Sequence, residues 1–258
     1  MFLEECCISS TTTRVIWRCV TTPGLHSRLP FVTVKNSISS SSSEVMPDIC
    51  TVFTKNPASL RSLLLNERVV HWRTGLIFRG IPSSHCHLTQ ELASVRGLDV
   101  TDYRGYNTFI HHSPKSLDSQ GKLLALPVSI LEESHADLVH AHLPYGGSQE
   151  SLNHVRACIR HLPNHCVRDG NGRPVSWMLS DELCELRMAY TLPEYRRAGH
   201  LLAPSVAQIC RMSSAGLPVY CHVNQQNQAM IKAVTSLGFS SCPGMENISV
   251  LLICRDRI

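Results

Sequence analysis

The sequence lacks any apolar run that reaches the ~18 residues a membrane-spanning helix needs. It also lacks the runs of Lys and Arg that mark nucleic-acid or membrane-surface patches, and its formal net charge is only +4 over 258 residues. These absences exclude a helical membrane protein and give no reason to expect a nucleic-acid partner. What the chain does have is a hydrophobic fraction of 43%, which is enough for the core of one large domain or two small ones.

The 12 cysteines include no Cys-x-x-Cys pair, the spacing that is typical of zinc sites and redox motifs. Several lie in apolar segments, where a free thiol packs as a small hydrophobic side chain, so we predict reduced and mostly buried thiols. Two His clusters, at 85–87 and 140–142, also fail as metal sites. The first lies in a Pro/Ser loop with no carboxylate nearby, and residues two apart on a helix point in divergent directions. We therefore predict no bound metal.

Residues 1–46 differ in composition from the rest of the chain. They are rich in Ser and Thr, and between residues 6 and 43 they carry four basic residues and no acidic one. Such a composition is typical of a mitochondrial transit peptide. A disordered leader fits equally well, with Met46 as an alternative start and a cytoplasmic location. In either case we expect residues 1–46 to be dispensable for folding.

From residue 47 onwards the pattern is α/β, and we divide it into an N-terminal unit (47–118) and a larger second unit (122–258). In the first unit the pattern predicts strands at 51–53, 72–78 and 106–110 and helices at 57–65 and 88–95. In the second it predicts strands at 124–130, 165–168, 174–179, 185–191, 217–223 and 250–254, and helices at 134–142, 151–161, up to about 213, and 227–237. Asp-Gly-Asn-Gly at 169–172 is a strong hairpin signal. This alternation favours a mixed, twisted sheet flanked by helices, in the α/β (α+β) class.

The most informative segment is a predicted strand followed by a loop that contains Arg196 and Gly199, with a helix directly behind it. Backbone N–H groups converge at the N-terminus of a helix, where the helix dipole also favours negative charge. A glycine lets the backbone approach a ligand closely, and an Arg supplies charge-assisted hydrogen bonds. The segment is therefore typical of a site that binds an anion such as a phosphate.

This segment resembles the pyrophosphate loop of the GNAT superfamily of N-acyltransferases. Thr191, Pro193, Arg196 and Gly199 match the pattern in register, whereas Leu201 stands where the family has a small residue. A second GNAT motif follows in the expected order. In it an Asn opens a helix after a strand, here Asn227, and the helix ends in Gly-Phe, here at 238–239.

Four further segments resemble glycine N-acyltransferases, a family within that superfamily: Pro-Val-Ser-Trp from Pro174, Glu-Leu-Arg-Met-Ala from Glu185, Thr-Leu-Pro-Glu-Tyr-Arg from Thr191 and Leu-Pro-Val-Tyr-Cys-His-Val from Leu217. Weaker similarity extends back to about Cys50. The resemblance implies transfer of an acyl group from acyl-CoA to the amine of glycine or a similar small amino acid, with acyl-CoA as co-substrate and no permanently bound cofactor. The CoA-binding residues that it implies are Ala189, Thr191, Arg196, Arg197, Gly199, His200 and Asn227.

The resemblance assigns the role of general base to Glu185. The chemistry needs a base because an amino acid's amine is protonated at neutral pH and must lose a proton before it attacks a thioester. Arg187 is a candidate partner for the acceptor's carboxylate, and His222 is expected to line the substrate site. Alternatively, Arg187 could pair with Glu185 on the same face of the strand, which would make Glu185 a poorer base. The position where many GNAT enzymes hold a Tyr acid is Val234, so that acid is absent or supplied elsewhere.

Two other functions stay open. The chain could acylate another amine, such as glutamine or a protein N-terminus, or it could bind acyl-CoA without catalysis, which the altered residue Leu201 would favour. The acyl-chain preference does not follow from the sequence, because the depth of the pocket depends on side-chain positions. We expect a monomer whose partners are acyl-CoA and a free amino acid.

Overall fold

The computed structural model describes residues 2–10, 13–21, 31–35, 48–53, 57–67, 70, 72, 76–112, 127–144, 147–181 and 183–254. The chain divides into two compact units: Met1–Asn107 with Pro243–Ile258, and Thr108–Cys242. In the described part of the chain, no helix is long and apolar enough to cross a membrane.

The strands, within the described residues, are β1 (Phe2–Ser10), β2 (Thr13–Thr21), β3 (Phe31–Lys35), β4 (Asp48–Phe53), β5 (Leu76–Pro82), β6 (Leu98–Ile110), β7 (Val128–Ser129), β8 (Asn164–Arg168), β9 (Pro174–Ser180), β10 (Leu186–Thr191), β11 (Tyr220–Asn224) and β12 (Ser240–Cys254). The helices are α1 (Pro57–Leu65), α2 (Cys86–Val95), α3 (Ala136–Ala141), α4 (Gln149–His161), α5 (Leu202–Ser214) and α6 (Gln228–Ser236). Short 3-10 turns precede α2, α3 and the loop before α5.

The first unit is built on a sheet with the strand order β1-β2-β3-β4-β5-β12-β6. β4 and β5 run parallel, whereas β12 runs antiparallel to β5. Buried apolar side chains from α1, α2, β5 and β12 form its core, including Leu60, Leu92, Phe78 and Leu252. α1 has the bounds that the sequence predicts, and Pro57 occupies its first turn, where the missing N–H of proline has no helical partner to lose.

The structure differs from our prediction for residues 1–46, where we expected no regular structure. Three strands lie in this range, and β3 pairs with β4 along its whole length, from Phe31 opposite Phe53 to Lys35 opposite Ile49. β-branched and aromatic residues predominate in β3, and such residues favour an extended backbone over disorder. The other residues of the predicted leader lie outside the described part of the chain.

The compact units also divide the chain differently from our predicted boundaries. The break falls between residues 107 and 108 instead of between the predicted units at 118–122, which lie outside the described part. The C-terminal strand β12 is long, and from Pro243 onwards it belongs to the first unit because it pairs with β5. Pairing between distant strands leaves no local signal in the sequence, so composition alone does not show that β12 returns to the first unit.

The second unit contains an antiparallel sheet with the order β10-β9-β8-β7. β8 and β9 are joined by the predicted hairpin, in which the Asp169 carboxylate accepts the N–H groups of Asn171 and Arg173 and Gly172 has a φ of 82°. Alternate residues of β9 face opposite sides. Trp177 packs with α3 and α4, and Met178 packs with α5, β11 and α6. β11 is not a strand of this four-stranded sheet as the described residues define it.

Most predicted elements exist with shifted ends. The strand predicted at 72–78 is β5 (Leu76–Pro82), and the one predicted at 106–110 is the end of the longer β6. Only β7 remains of the strand predicted at 124–130, whose residues 124–126 lie outside the described part. The strand predicted at 217–223 begins at Tyr220, and the helix predicted at 227–237 is α6, with Asn227 as its N-cap.

Candidate active site

A tight loop between β9 and β10 presents Glu185. Asp181 begins this loop, and its Oδ1 accepts the backbone N–H groups of Leu183 (2.9 Å) and Glu185 (3.1 Å). The N–H of Asp181 donates to the carbonyl of Glu185 at 3.0 Å, and the N–H of Cys184 donates to the carbonyl of Asp181 at 2.9 Å. Cys184 has a φ of 58°, a left-handed conformation that a residue with a Cβ adopts only where its surroundings enforce it. The loop therefore fixes the backbone of Glu185 just before β10.

The carboxylate of Glu185 is buried, with 3% of the residue exposed, and it connects the start of β10 to β11. Its Oε1 accepts the backbone N–H of His222 at 3.1 Å and lies 3.2 Å from the Nδ1 of the same residue. Burial, together with the nearby charge of Glu185, raises the pKa of the Cys221 thiol to about 12. Cys221 is thus protonated at neutral pH and is not a nucleophile. The structure brings together two residues that the sequence predicted for the site, Glu185 and His222.

Arg187 forms an ion pair with Asp181, whose Oδ2 lies 3.7 Å from Nη1 of Arg187. The alternative pairing of Arg187 with Glu185 assumed a regular strand through both residues, but Glu185 precedes β10 and faces β11. The Arg187 side chain is 33% exposed, whereas that of Asp181 is fully buried. The guanidinium is therefore anchored on one side and reaches solvent.

β10 contains a β-bulge next to Glu185 and Arg187. Arg187 lies opposite Leu179 and Tyr190 opposite Trp177, so residues 188 and 189 together face the single residue Met178. Met188 has a φ of 54°, and its side chain packs on the side of Trp177 while Ala189 packs on the side of α5. Ala189, a predicted CoA-binding residue, is thus on the bulge. Such bulges interrupt strand pairing and are over-represented next to active sites.

Aromatic rings lie beyond the bulge. Tyr190 stacks on Trp177 with ring centroids 5.6 Å apart, and the His142 ring lies 4.6 Å from Tyr190. The guanidinium of Arg196 lies over the ring of Tyr190, 5.1 Å from its centroid. Thr191 follows, and its Oγ1 shares a 2.7 Å hydrogen bond with Ser176. These contacts hold the end of β10 from which the anion loop departs.

The predicted anion loop runs from β10 to α5. Nε of Arg196 donates to the carbonyl of Thr191 at 3.0 Å, which folds the loop back on the strand. Arg197 and Gly199 have φ values of 64° and 75°, and a Cβ built on Gly199 meets no atom within 4 Å. Arg196, Arg197 and Gly199 are all exposed in front of α5. Two exposed Arg residues therefore precede the N-terminus of α5, an arrangement that suits a phosphate.

His200 and Leu201 end this loop. The ring of His200 packs edge-on against Tyr195 at 5.5 Å, and its Nδ1 is buried without a hydrogen-bond partner in the described structure. Leu201 occupies the N-cap of α5 and provides no side-chain acceptor for the first N–H groups of the helix. The N–H of Leu202 donates to the carbonyl of Gly199 at 3.0 Å and Pro204 has no N–H, so Ala203 provides the remaining donor of the first turn at the positive end of the helix dipole.

Asn227 lies apart from the loop, at the N-terminus of α6, where its Oδ1 accepts the N–H of Met230 at 3.0 Å. Its observed role is that of a helix cap, and a contact with CoA remains a prediction. Val234 is 5% exposed and packs in the apolar core between α5, β11 and α6, so this position provides no proton donor.

Asp181 and the aromatic residues His142, Trp177 and Tyr190 were not predicted as part of the site. An Asp four residues before Glu185, in a segment between two strands, is a local signal for a turn of the observed type. No comparable signal exists for the aromatic contacts, since His142 and Tyr190 meet only through the packing of α3 against the sheet.

The strand with a bulge, the anion loop with its helix, and the buried carboxylate at the strand's start define a GNAT-type acyltransferase. The structure of a Drosophila protein superposes on 92% of this chain and 79% of its own with a TM-score of 0.74 and 16% identity. A GCN5-related N-acetyltransferase-like protein from Streptococcus suis covers 86% of this chain and 83% of its own with a TM-score of 0.50 and 11% identity. At these identities the likeness concerns the fold.

The sequence profile of the aralkyl acyl-CoA:amino acid N-acyltransferases matches residues 34–163, and the profile of the C-terminal region of the same family matches residues 165–247. The chain belongs to this family. It is 31% identical to bovine glycine N-acyltransferase over 208 residues (74% of this chain, 70% of that protein) and 29% identical to human glycine N-acyltransferase-like protein 2 over 205 residues (74% and 69%). The family resemblance is confirmed, and it begins near residue 34, earlier than the predicted limit at about Cys50. The protein is an acyltransferase enzyme.

Proposed function

We propose that this enzyme transfers an acyl group from acyl-CoA to the amine of glycine or a similar small free amino acid, giving an N-acyl amino acid and CoA. The observation that carries the proposal is the buried carboxylate of Glu185, whose Oε1 is fixed by the N–H of His222 at 3.1 Å. The bovine and human relatives that are named glycine N-acyltransferases support glycine as the first acceptor to test.

Acyl-CoA is proposed to place its phosphates at the anion loop. The positive end of the α5 dipole and the exposed side chains of Arg196 and Arg197 would hold them. His200, Thr191 and Ala189 lie along the path from this loop to the β10 bulge, and they stay candidate CoA contacts together with Gly199. The thioester would then lie beside β10, close to Glu185.

The acceptor's ammonium group must lose a proton before the amine attacks the thioester carbonyl. We propose that Glu185 takes this proton, directly or through one water, so that the free electron pair of nitrogen forms the new C–N bond. Collapse of the tetrahedral intermediate breaks the C–S bond and releases CoA as a thiolate, and the second proton that the nitrogen loses on forming the amide passes to this thiolate or to water. The attack occurs in a complex of both substrates, without a covalent enzyme intermediate. Arg187, one third exposed, is proposed to bind the carboxylate of the acceptor.

A thiol-release assay with benzoyl-CoA and a panel of amino acids tests this function. We expect release of CoA with glycine, and the panel ranks the other acceptors, including glutamine. Peptides with free N-termini should be poor acceptors, because they lack a carboxylate at the α-carbon next to the reacting amine. Binding of acyl-CoA without release of thiol in the presence of any amine would contradict the proposal and favour a non-catalytic acyl-CoA-binding protein.

We also propose a mitochondrial location, supported by the acid-poor, Arg-bearing composition of residues 6–43. A fluorescent reporter fused behind residues 1–46 should enter mitochondria. A purely cytosolic signal would contradict the location. A monomer remains our expectation for the oligomeric state.

A further inference from the structure

Asp181 is a fully buried carboxylate that the proposed acyl transfer does not use, since Glu185 takes the proton and Arg187 binds the acceptor. A buried charge is unfavourable unless hydrogen bonds and an opposite charge compensate it. Asp181 has both, and it contacts three residues of the segment that contains the base: Leu183, Glu185 and Arg187. These contacts indicate that Asp181 serves the site in some way other than proton transfer or acceptor binding.

The two oxygens of Asp181 act on different parts of that segment. Oδ1 accepts the N–H of Leu183 at 2.9 Å and that of Glu185 at 3.1 Å, and so sets the backbone position of the base. Oδ2 lies 3.7 Å from Nη1 of Arg187 and so sets the position of the cation. One side chain therefore links the residue that would accept the proton to the residue that would bind the acceptor.

The ion pair with Asp181 also engages the guanidinium of Arg187, which would otherwise be available to the carboxylate of Glu185. A guanidinium close to Glu185 would favour the charged form of the carboxylate and lower its pKa, which makes a weaker base. In the structure, the ion pair of Arg187 is with Asp181, while Oε1 of Glu185 faces His222 on β11.

We propose that Asp181 is a positioning residue that aligns Glu185 with the acceptor's amine through Arg187 and prevents Arg187 from pairing with Glu185. The proposal rests on the proposed function, because it assigns roles to the same base and the same cation. Its consequence is that the charge of Asp181, and not merely its shape, matters for catalysis.

Asp181→Asn tests this, since the amide oxygen can still accept both N–H groups while the charge is lost. We expect kcat with glycine to fall ~10- to 100-fold, in line with the sensitivity of catalysis to small misplacements. The KM for glycine should rise, and the affinity for acyl-CoA should stay unchanged because the contacts given above for Asp181 are with Leu183, Glu185 and Arg187 and not with the residues of the anion loop. The matched control is Asp137→Asn, which removes an exposed carboxylate paired with Arg156 at 3.3 Å in the same unit. This control should behave as the wild type.

The pH profile separates positioning from a purely structural role. Among the described residues, the charged or titratable groups near Glu185 and Asp181 include Arg187 on β10, His222 and Cys221 on β11, and Cys184 in the loop. Loss of the Asp181 charge removes a like charge and frees Arg187 to approach Glu185, and both changes lower the pKa of the base. The acid limb of kcat/KM should therefore move to lower pH by ~1 unit or more. A uniform loss of activity with an unmoved acid limb would overturn the proposal.

If Asp181→Asn does not fold, Arg187→Gln tests the same link with the buried carboxylate retained. We expect a higher KM for glycine and an acid limb that moves to higher pH, because the neighbouring charge of Asp181 then lacks its counter-ion and disfavours the charged form of Glu185. An unchanged KM with an unmoved acid limb would show that the pair of Asp181 and Arg187 does not act on the site and would overturn the proposal. A wild type without turnover on any amino acid contradicts the proposed function itself, whereas an active wild type with Asp181→Asn equal to Asp137→Asn contradicts only the role of Asp181.

Discussion

Glu185→Gln replaces the proposed base by an amide of nearly the same shape. The amide oxygen can still accept the N–H of His222, which lies 3.1 Å from Oε1, so the bridge between β10 and β11 should survive. What is lost is the ability to take a proton from the acceptor at neutral pH. General-base catalysis contributes ~10²–10⁴ in rate, so we expect kcat with glycine to fall by this factor. In free energy this corresponds to ~3–5 kcal/mol of transition-state stabilisation.

The assay is thiol release at saturating benzoyl-CoA with varied glycine, from neutral to alkaline pH, together with calorimetric titration of acyl-CoA. The deficit should shrink as pH rises, because more of the acceptor is already a free amine. Acyl-CoA affinity should be unchanged, since the anion loop is intact. Glu133→Gln, in an exposed ion pair with Arg160, is the control and should match the wild type. A Glu185→Gln enzyme with normal kcat at neutral pH would refute the assignment of the base.

Three further predictions concern the anion loop, the acceptor and the N-terminal strands. Arg196→Ala should weaken acyl-CoA binding by ~1.5–3 kcal/mol in calorimetric titration, whereas Arg211→Ala, at the far end of α5, should not; equal losses would move the phosphate site elsewhere. Glycinamide should have a kcat/KM ~10- to several hundredfold below that of glycine, because it leaves the guanidinium of Arg187 without a carboxylate, and comparable values would defeat carboxylate recognition. A protein that begins at Met46 lacks β3 and therefore its pairing with β4. Its thermal unfolding should show a lower Tm, by roughly 2–4 °C for each kcal/mol of stability lost. An unchanged Tm would instead support the prediction from composition that residues 1–46 are dispensable for folding.

The sequence predicts the conformation of the loop before α5 well because its signals are local. Gly199 adopts the left-handed conformation for which glycine is suited, and α5 begins directly behind it. The helix α1 and the hairpin at 169–172 likewise follow from residues that are neighbours in the chain. The GNAT resemblance adds the order of these pieces, which fixes the fold class.

Features that depend on distant contacts were not predicted. The pairing of β12 with β5 joins residues more than 150 apart in sequence, and no local pattern records it. The period-two argument about Glu185 and Arg187 assumed a regular strand through both residues, but Glu185 lies in the loop before β10, where Asp181 accepts its backbone N–H. The strands in residues 1–46 show that a Ser-rich, acid-poor composition does not exclude extended structure where a partner strand is available.

The most direct test of the central claim is to incubate the purified enzyme with benzoyl-CoA and ¹⁵N-labelled glycine and to analyse the product by mass spectrometry. We expect N-benzoylglycine that carries the ¹⁵N label, formed in an amount equal to that of the thiol released. Thiol release without a labelled product would show hydrolysis instead of transfer to the amine. That result, or no release at all from an enzyme that binds benzoyl-CoA, would contradict the account.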